Sequence, residues 1–155
     1  MRPINLRWTA TKMFATIASV TLCSIAFVPG TASYEVYLNH ESVIKEHLYG
    51  RKEAPTLPLN TSTAKDELSV TFNNCGKIDT ARKISLKDEQ DKTLKEWSFS
   101  DSPDIKNQMV IRVSEITGFK NQHSTAKLVY SSRELPTDVH LVTLQLGNTT
   151  AQKSK

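Results

Sequence analysis

From residue 33 onward the apolar residues return at every second position in short bursts, and nowhere do they keep a helical spacing for more than about two turns. Alternation with a period of two sends neighbouring side chains to opposite faces of a strand, so each burst predicts a strand with one buried face. The first covers Tyr34 to Asn39, with Val36 and Leu38 inward and Glu35, Tyr37 and Asn39 outward. A second runs from Ser42 to His47. The segment from Ala54 to Leu59 is expected to pair only at a sheet edge, because Pro55 and Pro58 offer no backbone N–H. After a polar loop from Asn60 to Lys65, Leu68, Val70 and Phe72 alternate with Glu67, Ser69 and Thr71. That strand stops at the turn Asn73-Asn74-Cys75-Gly76.

In the second half, Lys83 to Glu89 and Thr93 to Ser100 flank Gln90, Asp91 and Lys92, which predicts an antiparallel hairpin. Ile84 and Leu86 share one face, as do Trp97 and Phe99, while Leu94 is out of phase. A one-residue bulge near Lys95 and Glu96 would restore it. Met109, Ile111 and Val113 alternate again, and Ser114 to Phe119 fits either one helical turn or a loop closed by Gly118. The last strands are Ala126 to Ser131 and His140 to Leu146, the second with Val142, Leu144 and Leu146 inward. Residues 148–155 read as a disordered tail. The sum is an all-β domain over residues 33–147, a single antiparallel β-sandwich of about seven or eight strands, with an open barrel as the alternative. A parallel α/β sheet would need crossover helices that the pattern lacks.

The first 32 residues belong to a different regime. Arg2, Arg7 and Lys12 precede an uncharged apolar run from Met13 to Val28, and Pro29-Gly30 ends it. Small residues at Gly30 and Ala32 suit a signal peptidase, so residues 1–32 are expected to be a secretory signal peptide cut after Ala32. The protein is then secreted or periplasmic. A retained anchor is the alternative, although the run is shorter than the roughly 20 residues that span a bilayer. Only in that case would a membrane be a partner.

Removing the signal changes the charge balance. The whole chain has 20 Lys and Arg against 16 Asp and Glu. The signal holds three of the basic residues and none of the acidic ones, leaving a nearly neutral domain. No basic cluster with interleaved aromatics remains, which argues against a nucleic-acid partner. Cys23 lies within the signal, where the large Leu22 before it argues against lipid attachment. Cys75 is then alone, excluding an intramolecular disulfide; it is expected to be a small, partly buried residue at the end of a strand, with an intermolecular disulfide or a reactive turn thiol as the alternatives. Asn60-Thr61-Ser62 and Asn148-Thr149-Thr150 match the glycosylation acceptor, which matters only in a eukaryotic secretory route.

Catalytic patterns are missing. His40, His47, His123 and His140 have no metal-ligand spacing, and only His40 and His47 would approach each other if their strands pair. There is no G-x-S-x-G, and no cofactor is implied. Asp88, Glu89 and Asp91 are placed at a hairpin tip, where they are expected to solvate the turn rather than to do acid/base work or bind calcium. The remaining candidates are surfaces: Tyr34, Tyr37, Tyr49, Trp97 and Tyr130 either cap the edges of the core or carry amphipathic contact area, and in the second case Tyr37 and Trp97 are the expected binding surface.

The succession Tyr34-Glu35-Val36-Tyr37-Leu38-Asn39, Asn73-Asn74-Cys75, Ile84-Ser85-Leu86-Lys87-Asp88 and Leu94-Lys95-Glu96-Trp97 resembles small uncharacterised exported β-domain proteins of Gram-negative bacteria. The resemblance implies an envelope setting and a β-sandwich, with no activity to carry over. The expected function is a non-enzymatic module of the cell envelope that binds a protein or a surface glycan. The alternatives are a subunit that self-assembles through edge strands, notably near Thr56 to Leu59, and a thiol protein using Cys75.

Overall fold

The structure is a computed structural model and describes residues 32–59, 65–101 and 108–147. The expected signal up to Thr31, the loop at 60–64 and the tail at 148–155 lie outside the described residues. Ala32, the last residue of that expected signal, is buried, and its carbonyl accepts the N–H of Leu48.

Among the described residues the chain forms nine strands and one short helix, in the order β1 (Ser33–Leu38), β2 (Glu41–His47), β3 (Thr56–Pro58), β4 (Glu67–Asn73), β5 (Lys83–Lys87), β6 (Thr93–Ser98), β7 (Met109–Arg112), α1 (Val113–Thr117), β8 (Thr125–Ser131) and β9 (Val139–Gln145). They make two sheets, β2-β1-β4-β7 and β3-β9-β8-β5-β6. The segment between Ser114 and Phe119, open to two readings in the sequence, begins as helix. Val113 anchors that helix by donating its N–H to the Asp66 carbonyl.

Two-residue turns set the register. Asn39 and His40, at φ 52° and 68°, join β1 to β2, and Cys75 and Gly76, at φ 54° and 77°, turn the chain after β4. Positive φ at both central positions is the type I′ geometry whose twist matches that of paired strands. Asn39 also grips the start of β4: its Oδ1 accepts from the Glu67 N–H at 3.0 Å and its Nδ2 donates to Asp66 at 3.0 Å. At the β5–β6 tip, Asp88 Oδ1 accepts from the N–H groups of Gln90 and Lys92, both at 2.9 Å. That carboxylate is buried and closes the turn from inside rather than solvating it, because the two N–H groups replace water as its donors.

Both sheets contribute to one core. Val36, Leu68 and Val70 from the four-stranded sheet join Ile84, Leu86, Leu128 and Leu144 from the other. Phe72 on β4 stacks on Tyr130 of β8, with ring centroids 4.3 Å apart. Tyr34, which the sequence offered as contact area, is 1% exposed, and Tyr130 is fully buried. Each hydroxyl has a partner inside: Tyr34 donates to the Leu141 carbonyl at 2.6 Å and Tyr130 to Asp79 at 2.8 Å. A phenol that can reach an acceptor is a core residue with a polar end.

Several details differ from the pattern reading. The strands number nine, and the Pro-bounded β3 lies at an edge as expected but runs parallel to β9, so the five-stranded sheet is mixed. Ser69, placed outward by alternation, is buried. The bulge in the β5–β6 hairpin exists one residue earlier than placed, with Leu94 as the extra residue. Two further bulges, at Val43 in β2 and at Leu141 in β9, were not foreseen. The second breaks alternation and buries Leu141 as well as Val142.

Candidate functional site

The outer face of the four-stranded sheet is built around Tyr37. Because Val36 pairs with Val70 and Val70 with Met109 on the core side, the next row, Tyr37–Ser69–Val110, faces away from the core. The β2 bulge sets Val43 beside Ser42 at the other side of Tyr37. Among the described residues Val43 (40%), Tyr49 (65%), Ile78 (50%) and Val110 (46%) are the exposed large hydrophobics, and two of the four flank Tyr37. Strand spacing makes the row Val43–Tyr37–Val110 roughly 15 Å wide.

The Tyr37 ring is held in place. Its hydroxyl donates to Glu35, which also pairs with Lys45 from β2. Lys45 first and Tyr37 second hold the Glu35 carboxyl below its ordinary value, and the same carboxylate raises the Tyr37 phenol. A half-buried aromatic whose hydroxyl is fixed loses little freedom when a partner covers it, which is the property of a good contact residue.

Trp97 is elsewhere. It lies opposite Ile84 on the core side of β6, half-buried, and its Nε1 donates to Glu115 of α1 at 3.0 Å. Lys95 donates to the same carboxylate at 2.5 Å and sits over the indole, 5.3 Å from its centroid. The structure therefore does not bring Tyr37 and Trp97 onto one surface. Cys75 is a free, exposed thiol at its turn tip and not the partly buried strand-end residue expected, because it occupies a central turn position with positive φ. His40 stands in the β1–β2 turn and His47 at the far end of β2, so strand pairing separates them by roughly 20 Å rather than joining them.

A second site was missed in the sequence. The connection from β2 to β3 wraps around the corner between the two sheets, and Arg51 in it reaches the start of β9. Its Nη1 donates to Tyr34 Oη at 2.5 Å and to the Leu141 carbonyl at 3.3 Å, and its Nη2 donates to the His140 carbonyl. Successive carbonyls of a regular strand point to opposite sides. The Leu141 bulge turns two of them to one guanidinium. Arg51, Lys52, Glu53, Ala54, Thr56, His140 and Thr143 line an open cavity of about 510 Å³. Burial, chiefly, pushes His140 below its ordinary value, with Lys127 and Arg51 adding to the depression. Alternation does not single out Arg51, and the apolar doublet Leu141-Val142 is the trace in the sequence of the bulge that gives Arg51 its acceptors.

Compared with protein-family models, curated proteins and solved structures, the chain matches none.

Proposed function

We propose that this protein is an exported, non-enzymatic binding module of the cell envelope, a β-sandwich whose protein or glycan partner docks on the outer face around Tyr37. The observation that carries the reading is the row Val43–Tyr37–Val110, which leaves apolar area on a sheet face whose other members include Glu35, Lys45, Thr71 and Arg112, with Ser69 buried within it. An aromatic centre with a polar surround suits either a sugar ring or a protein contact. Export rests on residues 1–32, with cleavage after Ala32 placing the mature start at Ser33, the first residue of β1. Intact mass and fractionation of the exported protein test that part: a soluble chain beginning at Ser33 supports it, and a membrane-bound chain retaining Met1 overturns it.

The docking face is tested with purified protein on isolated envelope fractions and a glycan array. Tyr37→Ser is expected to lower retention about thirtyfold, corresponding to roughly 2 kcal/mol at a central aromatic contact. Lys92→Ser, at the remote hairpin tip, is expected to bind like the parent. Equal retention of the two variants would overturn the reading.

Edge-to-edge assembly is the less supported alternative at β3. That edge is three residues long, ends in Pro58 and follows Pro55, a combination that blocks strand addition. The thiol alternative rests on Cys75 alone.

A further inference from the structure

We propose that the corner cavity beside Arg51 binds an acidic sugar, taking its carboxylate on the guanidinium and its hydroxyls on the surrounding polar side chains. The site is separate from the Tyr37 face and stands or falls independently of it.

Arg51 carries the argument. It is half-buried, and among the described residues no carboxylate forms an ion pair with it; its acceptors are a phenol and two backbone carbonyls, all neutral. Those contacts fix the plane of the guanidinium without cancelling its charge. A guanidinium has five N–H groups. Both on Nη1 and one on Nη2 are engaged, which leaves Nε–H and the second Nη2–H. Nε and Nη2 share one edge of the planar group, and a carboxylate can take two parallel hydrogen bonds along such an edge.

The rest of the lining selects what the carboxylate is attached to. Lys52 adds a second cation, the Thr56 and Thr143 hydroxyls are donors and acceptors, Glu53 accepts, and Ala54 is the one apolar residue. Thr56 and Thr143 are held side by side by the β3–β9 pairing, and Thr143 Oγ1 lies 3.3 Å from His140 Nε2. Small-ligand sites of roughly 300–1,000 Å³ are ordinarily lined by apolar and aromatic groups. A lining this polar favours a ligand covered in hydroxyls, and an open cavity of about 510 Å³ has room for a sugar ring.

The test titrates the full exported chain, isotope-labelled, with glucuronate, glucose, acetate and inorganic phosphate, following amide shifts by NMR. Saturable shifts at Thr56, His140 and Thr143 with glucuronate, at least about tenfold weaker with acetate and phosphate and absent with glucose, are the expected result. Arg51→Lys, which keeps the charge and removes the paired donors, is expected to weaken glucuronate binding about tenfold. Since Arg51 also braces the fold, Thr143→Val serves as a second variant and is expected to weaken glucuronate more than acetate. Tyr37→Ser is expected to leave the titration unchanged. A carboxylate in the cavity offsets the effects of Lys127 and Arg51 on His140, reinforces that of Asp91, and raises the titration midpoint of the ring; Lys52 and Glu53 line the same space. No saturable shift with glucuronate, acetate or phosphate binding as tightly as glucuronate, or an Arg51→Lys variant equal to the parent would each overturn the proposal.

Discussion

Single backbone positions explain much of this chain's local geometry. His40 and Cys75 are non-glycine residues at φ 68° and 54° in type I′ turns, where side chains other than Gly, Asn and Asp are disfavoured. Left-handed backbone costs an ordinary residue about 1–2 kcal/mol, so His40→Gly is expected to stabilise the domain by about 1 kcal/mol, read as a higher urea midpoint at unchanged slope. His140 sets a pH response. Its folded value is depressed by burial, so between that value and the ordinary 6.5 the unfolded chain binds more protons. Its contribution is complete above pH 6.5 and is lost as pH falls through the folded value. His140→Gln is expected to flatten the dependence of the urea midpoint on pH below 6.5; an unchanged slope would remove His140 as its cause. The turn at Cys75 was legible from Asn73-Asn74-Cys75-Gly76, because Gly76 takes positive φ without strain and Asn is a turn former, although Cys75 itself is not. The role of Arg51 was not, since its acceptors lie some 90 residues away in sequence.

At the scale of strands, alternation marked β1, β4, β5, β7 and β9 because each has one face in the core and one outside. It failed where a bulge inserts a residue. Leu94 betrayed its bulge by being out of phase, whereas Val43 and Leu141 each stand in an apolar doublet, which fits a strand buried on both faces as well as it fits a bulge. The direction of β3 was equally hidden: Thr56-Leu57-Pro58 reads the same in a parallel or an antiparallel pair. The link between β4 and β5 depends on polar contacts that alternation does not report. Asp79 is buried and accepts from Tyr130 Oη and from Asn74 Nδ2, each at 2.8 Å. Burial, and then the Asp79 carboxylate, drive the Tyr130 phenol far above its ordinary value, so it remains a donor at every physiological pH. Tyr130→Phe keeps the stack on Phe72 but takes one donor from Asp79, and is expected to cost about 1–3 kcal/mol in chemical denaturation. A change within error would show that other partners satisfy that carboxylate.

For the molecule as a whole, Arg51 ties the corner where the chain passes from one sheet to the other, while Glu115 ties α1 to β6 on the opposite side through Lys95 and Trp97. Arg51→Met is expected to lower stability by about 1–3 kcal/mol, because the His140 carbonyl loses its donor while Tyr34 keeps the Leu141 carbonyl. Two-sheet packing leaves two outer faces, and only on the one bearing Tyr37 do Val43 and Val110 add exposed apolar area. The central claim, that this face is where a partner docks, is tested most directly by placing a photo-crosslinking amino acid at residue 37, 43, 110 or 92 of the full chain in the cells that make it. Discrete adducts of the same mass from positions 37, 43 and 110, with none from 92, are the predicted result. Adducts from 92 equal to those from the sheet face, or none from any of the three face positions, would contradict it.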